Sequence, residues 1–184
     1  MQLDKTLQTK SIEFPSFATS ETPKTLASVK NAFVGKIEDL SFCTWISFSF
    51  FKKDTFVLYD GGNGTKNEGF GIQLYTEIGF LALGDIWYMY ELPPNSKQPE
   101  SWQQYCFTLE FASKIVKFYV DDHLVFEKID ELNLKDFKFS ENLVQNSIFG
   151  KKYYENDASF NGQFTGVNIW SSVLTKTMIK VSNL

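Results

Sequence analysis

An antiparallel all-β sandwich or barrel, with one short helix near the C-terminus, is the fold class this sequence predicts. Aromatic residues make up 17% of its 184 positions, with 19 Phe among them, a composition suited to pleated, half-buried strands. About a dozen short stretches follow the two-residue strand period and are separated by Gly, Pro, Asn and Asp clusters, as in antiparallel sandwiches and barrels. No repeat, linker or charge block interrupts the chain. Residues 1–184 therefore read as one domain, of a size that buries its core without help from a metal.

The first strand is predicted at 11–17, ending at Pro15 and its polar sequel. A long strand follows at 40–51, where Phe42, Ile46, Phe48 and Phe50 share one face and Cys43, Trp45 and Ser47 the other. Bulk on both faces marks it as central. Further strands are predicted at 55–60, 70–75, 77–84, 85–91, 104–111, 114–120, 124–128, 145–149 and 163–170. Turn chemistry at 60–69, 93–99, 120–124 and 151–157 separates them. Within 85–91, alternation puts Tyr88 and Tyr90 on one face and Trp87 and Met89 on the other. In the last strand, Phe160, Gly162, Phe164 and Gly166 hold one phase before Val167 and Ile169 take the opposite one. Its glycines signal a bend or the close approach of a neighbour, and Val167, Ile169 and Trp170 are expected to enter the core. From about Thr175 to Asn183 the pattern turns helical.

Charge and composition exclude several function classes. The formal net charge is −4 and all 18 basic residues are Lys, whereas nucleic acid is held by Lys/Arg clusters and read by Arg forks. No apolar run approaches the ~18 residues that span a bilayer, and residues 1–20 lack a signal-peptide core, so neither membrane insertion nor a retained leader is expected. The two cysteines, Cys43 and Cys106, fit either buried free thiols or a disulfide. The sole histidine, His123, sits in a turn where no catalytic or metal partner can be assigned. Asn63 heads the one glycosylation sequon, Asn-Gly-Thr, in a Gly-rich loop. Of the aromatic residues Trp87, Tyr88, Tyr90, Trp102, Tyr105, Tyr153 and Tyr154, most read as core, leaving Tyr153 and Tyr154 beside Lys151 and Lys152 as the exposed set for recognition.

Three stretches together carry a family resemblance: "SFCTWISFSF" at 41–50, "WQQYCFTLEFASKIVKFYVDDHLV" at 102–125 and "FNGQFTGVNIWSSVLTKTMI" at 160–179. In order and spacing the chain resembles pentraxins, within the concanavalin A-like and laminin-G-like sandwiches, over nearly its whole length. Where the family's middle stretch ends Phe-x-Val-Asp-Gly, this chain has Phe118, Val120, Asp121 and then Asp122. The resemblance implies a two-sheet antiparallel jelly-roll sandwich of pentraxin or laminin-G-like type. The interval from Cys43 to Cys106 matches the family's intradomain disulfide, which implies pairing and an extracellular setting. Closing that loop would add roughly 4 kcal/mol by restricting the unfolded chain.

The resemblance also implies a site for calcium, an ion that needs six to eight oxygen ligands. Of the family's early Asp-Asn pair, this chain offers only Asn67 and Glu68. In the later loop Lys151 and Lys152 stand where the family has carboxylates, with Glu155, Asn156 and Asp157 displaced downstream. The set reads as a damaged or absent calcium site, so no cofactor is expected and calcium is the ion that a rebuilt site would take.

A glycoside hydrolase on a glucanase-like scaffold needs two carboxylates about 5–5.5 Å apart on one strand face. Glu127 and Glu131 come nearest, with Ile129 between them and Asp130 pointing away, so no catalytic residue is assigned and no enzyme is expected. The functional expectation is a non-enzymatic extracellular recognition or adhesion domain, a module of a larger secreted or receptor protein, binding a glycan, lipid headgroup or protein. The alternative is a calcium-independent structural or self-association domain that forms a homo-oligomer.

Overall fold

The computed structural model describes residues 12–14, 27–29, 39–48, 55–60, 70–74, 78–94, 101–135, 147–149 and 162–181. Twelve strands and one helix occupy them: β1 (Ile12–Phe14), β2 (Ala27–Val29), β3 (Asp39–Phe48), β4 (Thr55–Asp60), β5 (Phe70–Leu74), β6 (Ile78–Leu83), β7 (Ile86–Glu91), β8 (Trp102–Glu110), β9 (Ile115–Val120), β10 (His123–Ile129), β11 (Ser147–Phe149), β12 (Gly162–Trp170) and α1 (Lys176–Val181). The strands form two antiparallel six-stranded sheets of a jelly-roll sandwich. One has the order β1-β12-β3-β8-β9-β10 and the other β2-β11-β4-β5-β6-β7. All predicted strands are present with ends shifted by a few residues, and β2 is an addition. Three residues within "TLASVK" carry too weak a period to announce a strand, and β2 exists because β11 pairs with it from the far end of the chain.

Alternation decides which side chains meet between the sheets. From the first sheet, Leu40, Phe42, Ile46, Tyr105, Phe107, Leu109, Val116, Phe118 and Phe164 face inward; Ile72, Leu74, Leu81, Leu83, Tyr88 and Tyr90 oppose them from the second. The layers lock through aromatic rings, with Tyr90 stacked on Phe118 at 4.1 Å between centroids and Tyr88 against Phe126 at 5.8 Å. Gly79 lies directly across from Tyr90, and a Cβ there would collide with the Tyr90 ring. The aromatic ring covers the glycine, and only a residue without a side chain leaves it room.

The phase reversal in β12 has a structural cause. Pairing with β3 runs regularly from Gly162 to Thr165, slips, and resumes at Asn168. Gly166 takes φ 57° within this bulge, a left-handed conformation that glycine adopts without strain. Phe164 therefore points into the core before the bulge, and Val167 and Ile169 pack against the same core after it. Trp170 departs from expectation: it leaves the main core and packs on the outer face with Cys43, Cys106, Tyr119, Leu174 and Ile179.

That outer cluster seats the C-terminal segment. Cys43 and Cys106 are directly opposed in β3 and β8 and form a disulfide with Cα atoms 4.1 Å apart. This resolves the two thiol readings in favour of pairing. The fully buried Ser41 donates from Oγ to the Ser172 carbonyl at 2.6 Å and accepts from the Leu174 backbone N–H at 2.9 Å. One hydroxyl thus clasps the chain as it turns from β12 toward α1, satisfying the buried Leu174 N–H and tying down the carbonyl of the exposed Ser172. Ile179 of α1 is fully buried over the disulfide.

Candidate functional site

The opposed cysteines fix the register of every other residue on that face. Counting outward from the pair, Trp45 lies opposite Gln104 and Ser47 opposite Trp102; β12 continues both rows, with Thr165 beside Trp45 and Gln163 beside Ser47. Two tryptophans therefore occupy diagonal positions on one sheet face, within reach of each other's side chains. The C-terminal segment packs over the rows holding Cys43, Cys106 and Tyr119. The rows with the tryptophans lie beyond it: Trp102 is 39% exposed and Trp45 half-buried. The Gly166 bulge fits closely against the edge of the Trp45 indole, where an added Cβ would sit 3.3 Å from Cδ1.

A polar relay behind this face holds the start of β8. The β9–β10 turn places Asp121 and Asp122 at φ 49° and 65°, the pair of left-handed residues that a type I′ hairpin requires and that Asp tolerates. Asp121 then accepts from the Gln104 backbone N–H at 2.8 Å and from the Gln103 amide at 3.4 Å, while its own N–H donates to the Gln104 carbonyl. The Tyr105 hydroxyl donates to Gln103 Oε1 at 3.1 Å. Burial, with the Asp121 charge adding to it, pushes the Tyr105 phenol well above its usual range, so it stays a neutral donor. The two tryptophans consequently stand on a rigid frame, with side-chain amides and hydroxyls from Gln163, Ser47, Thr165 and Gln104 in the same two rows. No charged side chain occupies those rows among the described residues of β3, β8 and β12.

The opposite outer face differs. Trp87 is 46% and Met89 60% exposed, with Phe80 edge-on to Trp87 at 6.2 Å between centroids. Alternation placed Trp87 and Met89 correctly on the face away from Tyr88 and Tyr90, but among the described side chains the exposed aromatic residues are Trp87 and Trp102, both treated as core from sequence. The Cys43–Cys106 spacing was the signal that could have found the second site: opposed cysteines place Trp102 and Trp45 on one face.

Between the sheets at one edge, Asp130 is buried and accepts from the Tyr88 hydroxyl at 3.1 Å, from Asn133 Nδ2 and from Lys128 Nζ at 3.3 Å. Desolvation pushes its carboxyl up, but the bonds from Asn133, Tyr88 and Lys128 outweigh it and hold the group below its ordinary range. Burial and the Asp130 bond raise Tyr88. The group acts as an inter-sheet latch. Glu127 ion-pairs with Lys117 at 3.1 Å, and Glu131 falls in the turn beyond β10, so strand alternation does not bring these two carboxylates together. His123 Nδ1 lies 2.9 Å from the Asp121 carbonyl and 3.2 Å from Asp122 Oδ1, at the surface.

The sequence-predicted site residues Asn63, Asn67, Glu68, Lys151, Lys152, Tyr153, Tyr154, Glu155, Asn156 and Asp157 all lie outside the described residues. Among the described residues, no group of three or more His, Cys, Asp or Glu could hold a metal ion. No described helix is long and apolar enough to cross a membrane.

Residues 21–180 match the family model described as the concanavalin A-like lectin/glucanases superfamily. The chain belongs to this family. Its fold resembles that of a heptameric SAP-like pentraxin from Limulus polyphemus (TM-score 0.71, 14% identity, covering 92% of this chain and 79% of that one). It also resembles a putative carbohydrate binding protein from Bacteroides ovatus (TM-score 0.64, 14% identity, 84% and 43% covered). A third likeness is to the CBM40 of a Ruminococcus gnavus IT-sialidase bound to α2,3-sialyllactose (TM-score 0.60, 15% identity, 80% and 83% covered). A search of curated protein sequences gave no match.

Proposed function

We propose that this lectin-like sandwich is a non-enzymatic recognition module, one domain over its 184 residues, that binds a glycan on the face carrying Trp45 and Trp102. The observation that carries this reading is the placement of two indoles in adjacent rows, rigidly framed, among amides and hydroxyls. An indole covers the apolar face of a pyranose ring, and side-chain amides exchange hydrogen bonds with its hydroxyls, so stacking supplies affinity and the polar groups supply orientation. The rows hold amides and hydroxyls in β3, β8 and β12, and β1 continues one of them with the acidic Glu13 opposite Gln163, a setting that favours a neutral sugar over an anionic one. Support also comes from the solved structures it resembles, of which one is named a putative carbohydrate binding protein and another holds sialyllactose.

Recognition is proposed to proceed without calcium, because Lys151 and Lys152 oppose a cation in the loop where the family places carboxylates. The Cys43–Cys106 disulfide favours an extracellular location, where Asn63 would be open to glycosylation. Titration of tryptophan fluorescence with a series of neutral oligosaccharides tests the site. Trp102→Ala is expected to weaken binding about tenfold, as loss of an aromatic anchor worth ~1.4 kcal/mol does, while Trp87→Ala leaves it unchanged. Equal affinity in wild type and Trp102→Ala, or no binding across the series, would reject the assignment.

A further inference from the structure

The tryptophan face carries a third position. β12 pairs with β3 on the side away from β8, and after its bulge Asn168 lies opposite Cys43, two residues along β3 from Trp45. Trp102 lies opposite Ser47, two residues along β3 in the other direction. Trp102, Trp45 and Asn168 therefore fall on one diagonal across β8, β3 and β12, at steps of roughly 7–8 Å between backbones. All three face outward, since Tyr105, Ile46 and Ile169 of the same strands face the core.

The bulge decides what stands at the far end. Asn168 Nδ2 donates to the Gly166 carbonyl at 2.8 Å, at the surface, which holds the amide beside the glycine that abuts the Trp45 indole. An amide carries a second N–H and a carbonyl oxygen as well, the donor and the acceptor that sugar hydroxyls take. The diagonal thus runs indole, indole, amide.

Its shape selects among glycans. One pyranose covers one indole, so two indoles a step apart are covered together by consecutive rings of a chain. Adjacent strands turn by roughly 20–25° relative to one another, so the diagonal crosses a gently twisted platform. A chain joined through equatorial bonds is a flat ribbon that lays successive ring faces along such a line. A chain joined through axial bonds coils, and its next ring leaves the surface.

We propose that this diagonal is a three-ring subsite for a neutral, ribbon-like oligosaccharide of equatorially linked hexoses. Successive rings stack on Trp102 and Trp45, and the third hydrogen-bonds to Asn168. The proposal rests on the reading of the tryptophan face as a glycan site and adds to it a chain length, a linkage geometry and a further residue.

Calorimetric titration of the whole chain compares glucose, cellobiose and cellotriose, whose β-1,4 links are equatorial, with maltotriose, an isomer of cellotriose with axial anomeric bonds. Affinity is expected to rise at least tenfold from glucose to cellobiose and several-fold further to cellotriose, with maltotriose at least tenfold weaker than cellotriose. Asn168→Ala should weaken cellotriose several-fold and leave cellobiose within twofold, a split that partial unfolding does not produce. Three results would overturn the subsite while leaving a glycan site in place: glucose binding as tightly as cellotriose, maltotriose matching cellotriose, or Asn168→Ala acting equally on both lengths. The subsite also falls if the cellotriose series fails to bind while another neutral oligosaccharide does. If no neutral oligosaccharide binds, the glycan reading falls with it.

Discussion

Removing a single oxygen at Ser41 should loosen the whole C-terminal segment. The hydroxyl is fully buried and serves two backbone groups, donating to the Ser172 carbonyl and accepting from the Leu174 N–H. Ser41→Ala removes no packing of consequence but leaves both groups without their partner. An orphaned buried polar group costs about 1–3 kcal/mol, and the exposed Ser172 carbonyl can turn to water, so the orphaned Leu174 N–H predicts a loss of about 1–3 kcal/mol, or roughly 2–12 °C in Tm for a domain this size. The loss should be local first, because Leu174 and Ile179 cover the disulfide and are held to the sheet through this clasp. Urea titration gives the global change, and hydrogen exchange of residues 174–181 reports the local one. The rate of Cys43–Cys106 reduction by dithiothreitol should rise in parallel, as the covering helix opens more often. A variant within about 0.5 kcal/mol of wild type, with helix amides and reduction rate unchanged, would refute the clasp.

Gly79→Ala should cost about 1–3 kcal/mol by overpacking against Tyr90, whose ring is held by Phe118; Tyr90→Leu in the same chain should recover part of this in a urea double-mutant cycle. Because the folded Asp130 carboxyl titrates below its unfolded value of ~3.9, the stability it lends is complete above that pH and disappears as pH falls through its lower folded value. Wild-type stability should therefore decline below about pH 5 more steeply than that of Asp130→Asn, as followed by urea midpoints from pH 3 to 7. Millimolar calcium should leave Tm unchanged, whereas a saturated site would raise it by mass action; a clear upward shift would restore the calcium-dependent reading of Asn67, Glu68, Glu155, Asn156 and Asp157.

Local alternation already placed Phe42 and Ile46 opposite Cys43 and Trp45, and Tyr88 and Tyr90 opposite Trp87 and Met89, because a strand's side chains change face at every residue whatever lies nearby. Element order, a central β3 and the C-terminal helix were legible for the same reason. The exposure of Trp87 and Trp102 was not, since a half-buried strand and a fully covered one show the same period. Loop candidates such as Tyr153 and Asp157 had no period at all to place them.

Sequence alone thus determined which residues share a face and, through family resemblance, which fold arranges them. Tertiary structure decided which faces are covered. The bulge at Gly166 turns Val167 and Ile169 inward and releases Trp170 to the outer face, and Ser41, over 130 residues away in the chain from Ser172 and Leu174, fixes the segment that packs there. Coverage depends on contacts between residues remote in sequence, and no local periodicity carries that information. The same physics leaves Trp102 exposed on one face.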